Sequence, residues 1–310
     1  FIEKGIEKLA KRYYFLLEWE REGDAWDQKK MPWVRPYQQS AIAFVGALGH
    51  RAVIADDVGL GKTIEALGAI WRYTLDIIAD PVLVVSPANV IYKWAREITD
   101  PTQRFPWSDK WSVQVLLSNK DLLLKTQFTI VSYDIMRRRV DELIAHHYDI
   151  IIFDEVHYVK NYKALRTKAA EKLAEKIPYI IGLTGTPLLN DRPIEMWSWL
   201  HMVNPQGWPT LWGSTGYGDR YCGGRTPFGT FRGATHISEL AERLKSTTIR
   251  RTKAEVLSEL PALSIVPVPV RVDLKDYRKI EENVRETILA MAPSSKGYWI
   301  AVLDRMNYLR

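Results

Sequence analysis

Between about residues 50 and 185, short apolar runs alternate with longer stretches that are apolar on one face only. The runs are Ala52-Val53-Ile54-Ala55, Val82-Leu83-Val84-Val85, Val113 to Leu117, Phe128 to Val131, Ile150 to Phe153 and Tyr179 to Leu183. Runs apolar on both faces suit strands of a parallel sheet covered by helices on each side. The segments between them, Thr63 to Asp76, Val90 to Thr99 and Lys163 to Lys176, have the length and period of those helices. The pattern predicts an α/β domain built on a doubly wound, mostly parallel sheet. Ligands in such sheets bind at the carboxyl ends of the strands, so candidate chemistry is sought where each run stops.

The flanks read differently. Residues 1 to 30 form a charged, amphipathic lead-in of one or two helices, and Gly207 to Gly233 sets many glycines among Trp, Tyr, Phe and Arg, which predicts a loop-rich insertion. A helical pattern follows at Ile237 to Leu244, then the basic string Ile249-Arg250-Arg251-Thr252-Lys253, then alternation through Ile265 to Val272. Lys275 to Arg310 reads as helices with no sheet of their own.

Composition narrows the class. With 46% hydrophobic and 26% charged residues, a chain of 310 residues can bury a core, which excludes disorder and collagen-like structure. No apolar run approaches the roughly 18 residues of a spanning helix. Phe1 opens the chain with no cleavable signal pattern, so the sequence reads as an excised part of an intracellular protein with no membrane association. The one cysteine, Cys222, can form neither an internal disulfide nor a thiolate zinc cage, which fits a reducing cytosol or nucleus. Lys+Arg 43 against Asp+Glu 37 leaves a net charge of +6, which leans toward a polyanionic partner.

Chemistry first appears after the run at 52 to 55, as Asp56-Asp57-Val58-Gly59-Leu60-Gly61-Lys62-Thr63 before a helix-forming stretch. Glycines at this spacing let backbone N–H groups and a helix N-terminus face an anion; Lys62 reaches the β/γ-phosphates and the Thr63 hydroxyl can ligate magnesium. The first glycine usual in this motif is Asp56 here. The apolar run 150 to 153 ends in Asp154-Glu155-Val156-His157. Of these acids, Asp154 can hold magnesium, and Glu155 can polarise a water in line with the γ-phosphate. Either motif alone is compatible with an ordinary cap or turn; together, in this order on one sheet, they predict ATP hydrolysis. A third run ends in Thr184-Gly185-Thr186-Pro187, which is a plain turn or a sensor of the γ-phosphate. Gln38, ahead of a helix, is a surface residue or an adenine-pairing amide.

Taken in order, R-P-Y-Q, A-D-D-V-G-L-G-K-T, V-V-S-P-A-N-V-I-Y-K-W, V-S-Y-D, D-E-V-H and T-G-T-P-L-L-N resemble the first-lobe motifs of the Swi/Snf-type ATPases of helicase superfamily two. Asp219-Arg220-Tyr221-Cys222, the Gly-rich insertion and Arg250-Arg251-Thr252-Lys253-Ala254-Glu255-Val256-Leu257 through Leu260-Pro261 are most similar to its HepA-related, annealing-helicase branch. The resemblance implies a RecA-like ATPase lobe over 31 to 263, with the insertion around 204 to 248, a lead-in over 1 to 30, and an interlobe connector with the helical start of a second lobe over 264 to 310. It implies ATP and Mg2+ as ligands: Gln38 for adenine; Asp57, Gly59, Gly61, Lys62 and Thr63 for the nucleotide; Thr63 and Asp154 for the metal; and Glu155 as base. Ser86, Pro87, Ser132 and Tyr133 then lie toward a DNA backbone, and His157, Thr184, Gly185 and Thr186 couple nucleotide state to DNA. The implied activity is translocation on duplex or branched DNA, of the remodelling or annealing type, through backbone contacts.

The second RecA-like lobe, which would supply an arginine finger, is missing from the sequence, so the chain alone is expected to be weakly active. Arg250 and Arg251 are weighed as stand-ins for that finger. Arg137-Arg138-Arg139 and Lys160, Lys163, Arg166 and Lys168 are read either as DNA-phosphate contacts or as solvated faces. Tyr217, Tyr221, Phe228 and Phe231 are read either as wedges against DNA or a partner, or as packing under a long loop. Two alternatives stand beside the leading function: the motor lobe of a restriction or defence complex, and a non-catalytic module that keeps the fold to bind DNA or protein.

Overall fold

The computed structural model describes residues 34–49, 51–73, 81–99, 111–188, 192–213, 215–224, 226, 230–231, 233–257 and the single positions 279, 282 and 286. The chain divides into two compact units, Phe1–Glu259 and Leu260–Arg310. In the second, positions 279, 282 and 286 are helical. The lead-in over 1 to 30, the alternation at 265 to 272 and Phe228 lie outside the described residues.

The first unit runs α1 (Pro36–Ala47), β1 (Arg51–Ile54), α2 (Lys62–Tyr73), β2 (Val82–Ser86), α3 (Ile91–Thr99), β3 (Val113–Leu116), β4 (Phe128–Ser132), α4 (Tyr133–Arg138), α5 (Val140–Ala145) and β5 (Ile150–Asp154). A 3-10 turn at Val156–Val159 follows, then α6 (Leu165–Lys176), β6 (Tyr179–Leu183), α7 (Ile194–Val203), α8 (Tyr217–Tyr221), α9 (Ile237–Leu244), β7 (Thr248–Ile249) and α10 (Lys253–Val256). The strands form one sheet in the order β3-β4-β2-β5-β6-β1-β7, and every pairing is parallel.

Alternate strand residues serve two cores, as the two-sided apolar runs require. Ala52, Ile54, Val82, Val84, Ile150 and Ile152 pack with α1, α2 and α3 on one face. Val53, Leu83, Val85, Ile151 and Phe153 pack on the other with α4 to α7. The Gly-rich insertion joins this second core: Trp208, Tyr217, Tyr221 and Phe231 are buried, so these aromatics are packing residues and not surface wedges. A β-carbon at Gly218 would strike the Phe231 ring, so that glycine admits the ring to α8.

Register brings the motif-bearing strand ends level. Ile54 and Asp154 both pair with Leu183, and Ser86 pairs with Ser132. The phosphate loop, the acid pair and the Thr184 turn therefore emerge along one edge of the sheet.

Candidate nucleotide site

Residues 55 to 61 turn from β1 into α2, with left-handed backbone at Gly59 (φ +92°) and Gly61 (φ +89°), where only glycine is relaxed. A β-carbon at Gly61 would collide with the side-chain amide of Gln38. That amide is buried: its Nε2 donates to Leu60 O at 2.9 Å, and its Oε1 accepts from Arg35 N at 3.0 Å, closing the first turn of α1. Tyr37 Oη also donates to Leu60 O at 3.0 Å. Lys62 Nζ donates to the carbonyls of Asp56 (2.7 Å) and Asp57 (3.3 Å). Burial lowers the Lys62 pKa, opposed by Glu155, Glu65, Asp56 and Asp154.

Asp154 closes β5, and Glu155 turns the chain in the left-handed region (φ 51°, ψ 59°), at a strain on the order of 1–3 kcal/mol for a non-glycine residue. Both acids share a cleft of about 680 Å³ with Gly59, Gly61, Lys62, Thr63, Pro87 and His157. Asp154 Oδ2 accepts from Trp94 Nε1 at 2.7 Å. Burial pushes the Asp154 carboxyl above its ordinary pKa, against the Trp94 hydrogen bond and the Lys62 ammonium. Burial acts the same way on Glu155, but His157, Lys62 and the Gly185 amide outweigh it and hold Glu155 below its ordinary value. Two neighbouring carboxylates are thus biased in opposite directions.

Glu155 is also tied to the Thr184 turn. Thr184 Oγ1 donates to Glu155 Oε2 at 3.3 Å, and His157 Nδ1 lies 3.2 Å from that oxygen and 3.1 Å from Thr184 Oγ1. Thr186 N donates to Thr184 Oγ1 at 3.1 Å. Gly185 sits against the phosphate loop; a β-carbon there would strike Val58 and come within 3.4 Å of Lys62 Nζ. Tyr133 is buried, and its hydroxyl donates to the carbonyls of Asp154 (2.8 Å) and Glu155 (3.3 Å). Ser132 caps α4 by accepting from Ile135 N, and Ser86 is fully buried at the end of β2. The side chains of Ser86 and Tyr133 therefore face inward. The Asp57 carboxylate is turned to Arg250 (3.4 Å) and to the Lys253 amide (3.1 Å), where it anchors the 250–253 segment.

Several basic residues have internal work. Arg139 is buried and forms a two-pronged pair with Glu142 (2.8 and 2.5 Å) while donating to Ser118 O, so it braces α5 and is not a DNA contact. Lys160 pairs with Glu195 at 3.1 Å. Arg166 lies over the rings of Tyr133 (5.8 Å) and Tyr158 (5.5 Å). Lys163 lies over Tyr162, and Arg138 and Lys168 are exposed. Arg250 donates to Ala55 O at 2.9 Å, and Arg251 pairs with Asp56 and Glu65, so both arginines hold the loop's outer wall.

Two contributors escape sequence reasoning. Trp94 ends one quoted motif, yet only its placement on α3, one face turned to β5, aims its indole N–H at Asp154. The Asp56–Arg251–Glu65 cluster left one trace in the sequence, an acid where the phosphate motif usually carries glycine.

Donor chemistry fits magnesium held jointly with a triphosphate. Among the described residues no three His, Cys, Asp or Glu side chains cluster as a self-sufficient metal cage. One hydroxyl and one carboxylate beside a phosphate cradle are what a magnesium ion that keeps its waters and shares phosphate oxygens takes from a protein.

Residues 37–292 match the SNF2-related domain family. Over 239 residues the chain is 34% identical to the SWI/SNF-related matrix-associated actin-dependent regulator of chromatin subfamily A-like protein 1 of Xenopus laevis, covering 76% of this chain and 24% of that protein. Over 238 residues it is 32% identical to the DNA annealing helicase and endonuclease ZRANB3 of Homo sapiens, covering 73% and 21%. These similarities agree with the HepA-related branch read from the motifs. The chain spans about a quarter of the length of such relatives. The Sulfolobus solfataricus SWI2/SNF2 ATPase core in complex with dsDNA shares the fold, with a TM-score of 0.60 at 22% identity over 89% of this chain and 57% of that one. The all-parallel sheet, the ordered motifs and the match over most of its length place this chain in the SNF2-related ATPase family.

Proposed function

We propose that this chain is the ATP-binding first lobe of a DNA-dependent ATPase that translocates on duplex or branched DNA, in the annealing or remodelling manner. The observation that supports it best is the single cleft shared by Lys62, Thr63, Asp154 and Glu155, with Glu155 tied to the Thr184 turn. Lys62 and the N-terminus of α2 bind the β/γ-phosphates, exchanging two backbone carbonyls for phosphate oxygens. Gln38, beside the loop, recognises adenine with the donor and acceptor positions left over from its two hydrogen bonds. Thr63 and Asp154 hold the magnesium ion, which when bound neutralises phosphate charge. Glu155, kept ionised by its neighbours, takes the proton of the attacking water at Oε1 or Oε2.

The His157–Thr184–Thr186 chain links this base to the turn after β6, so nucleotide state is passed along that turn. Inward-facing Ser86 and Tyr133 leave DNA contact at β2 and β4 to main-chain groups and exposed neighbours, which grip phosphates without reading bases. A second lobe completes the site with an arginine, and turnover by these 310 residues alone is slow. Among the described residues no helix is long and apolar enough to cross a membrane.

The test is magnesium-dependent ATP binding and turnover, each with and without duplex DNA. Lys62→Ala should weaken binding by about 10–100-fold, the value of a charge-assisted hydrogen bond. Glu155→Gln should retain binding and lose about 10²–10⁴ in turnover. Absent nucleotide binding favours a non-catalytic module, and unchanged turnover in Glu155→Gln removes that residue as base.

A further inference from the structure

The outer wall of the phosphate loop is made by a segment nearly two hundred residues downstream. Ala55 N donates to Ile249 O at 2.7 Å and Asp57 N to Arg251 O at 3.0 Å, which continues the β1–β7 pairing past both strands. Side chains repeat the connection: Arg250 reaches Ala55 O, Arg251 N donates to Asp56 Oδ1 at 2.9 Å, and Lys253 N donates to Asp57 Oδ2. Thr252 and Glu255 close a capping box on α10 and fix the segment where it leaves the loop.

Arg251 gathers three supports of the loop on one guanidinium. It pairs with Asp56, at the loop's start, and with Glu65, one turn into the helix that follows, at 3.0 Å. It also lies 5.4 Å over the ring of Tyr37 and donates to Tyr37 O, and Tyr37 in turn holds Leu60 O in the middle of the loop. Asp56 and Glu65 are fully buried, and Glu65 Oε2 has no hydrogen-bond partner among the described residues. Two buried acids and one cation are a costly arrangement that apolar residues could replace, so a role beyond stability is indicated. Burial, with Asp56 beside it, raises the Glu65 pKa to about 9.

We propose that Arg251 is a positioning residue for nucleotide binding: from outside the cleft it holds the phosphate loop in its binding shape through Asp56, Glu65 and Tyr37. This rests on the reading of the cleft as an ATP site. The loop must present its N–H groups to phosphate without first paying to order itself, and preorganisation of that kind acts on binding more than on the chemical step. The acid pair is supported separately, by Trp94, Tyr133 and Thr184.

Two variants and one measurement on the unaltered chain test this. Arg251→Lys keeps the charge and loses the fork. The triple change Asp56→Asn, Glu65→Gln, Arg251→Met replaces the cluster with neutral side chains of similar size. Melting curves establish that each is folded, and a fluorescent ATP analogue with magnesium reports affinity. Folded variants should bind roughly 10–100-fold more weakly, the usual penalty for losing a supporting contact, with Arg251→Lys closer to the unaltered chain than the triple variant. At saturating ATP the single-turnover rate should stay within about twofold, so the effect appears in the half-saturating concentration. In the unaltered chain, the analogue should slow hydrogen exchange at the amides of Ala55, Asp57 and Arg251, because coupling between nucleotide and this outer strap, residues 249–253, is reciprocal. Unchanged affinity in a folded variant, or unchanged exchange at these amides, overturns the proposal. Lys62→Ala separates the two readings: if it loses binding while the Arg251 variants keep it, the ATP site stands and the strap does not. If the unaltered chain binds no analogue, both fall.

Discussion

Replacing Trp94 with Phe removes a single hydrogen-bond donor from the nucleotide cleft and retains an aromatic ring in the core. Trp94 is 2% exposed, and its indole N–H donates to Asp154 Oδ2 at 2.7 Å. A hydrogen bond to an ionised group is worth about 1.5–3 kcal/mol. Asp154 already lies above its ordinary value through burial, and the Trp94 bond is the largest influence pulling it back. Trp94→Phe should therefore raise the Asp154 pKa further. On the proposed reading Asp154 holds magnesium as a carboxylate, so the loss falls on the acid side of the profile. Metal-dependent binding of a fluorescent ATP analogue should be weakened more at pH 5.5 than at pH 7.5, by about tenfold, the lower end of what that hydrogen bond is worth. Measuring each pH with magnesium and with chelator separates the Asp154 contribution from that of Lys62, and a melting curve checks the fold. An acid limb that superimposes on that of the unaltered chain would refute the reasoning. Equal weakening at every pH would show that Trp94 acts through packing alone.

Two further changes probe the loop's neighbours. Gly185→Ala puts a methyl group against Val58 and near Lys62 Nζ; nucleotide affinity should fall about tenfold, the scale of a small displacement at a site, and Val58→Ala added to it should restore most of the loss. No recovery in the double variant would show that Gly185 matters for another reason. Glu65 has a folded-state pKa raised to about 9 by burial and Asp56, so the stability it confers is complete below the unfolded value and is lost as pH rises toward that figure. Glu65→Gln removes this loss, so its stability relative to the unaltered chain should improve by roughly 1–3 kcal/mol between pH 6 and pH 8 in denaturant titrations. A pH-independent difference would show that Glu65 is ionised throughout.

The sheet was legible because its strands are covered on both faces, so runs such as Val82 to Val85 and Ile150 to Ile152 stand out as uninterrupted apolar segments. Motifs were legible for a related reason: phosphate binding needs glycines and a lysine at fixed local spacing. Elements whose meaning lies in distant partners were not. Strand β7 is two residues long at the sheet edge and reads in sequence as the front of a basic string. Helices α4 and α5 are six residues each, too short to show a period, and the arginine triplet that ends α4 and leads into α5 hides that Arg139 is buried. The Gly-rich insertion looks like loop because glycines dominate its composition, whereas its aromatics fill the second core. Trp94 and Asp154 are 60 residues apart, and Arg251 and Asp56 are 195 apart. No local pattern connects either pair.

The β1–β7 seam also has a bearing on the order of assembly during synthesis. Asp56 emerges from the ribosome 195 residues before the arginine that neutralises it, an interval of roughly 10–40 s at ordinary elongation rates. Once β6 has joined the sheet and until β7 follows, β1 is an open edge, with an acid at the end of a strand otherwise destined for the interior. Such a charge discourages premature strand addition at that edge, in the way edge charges do in finished sheets. Closure of the ATP cradle is thus among the last events in the making of the lobe, and a chain cut short before Ile249 would have its glycine turn without its wall.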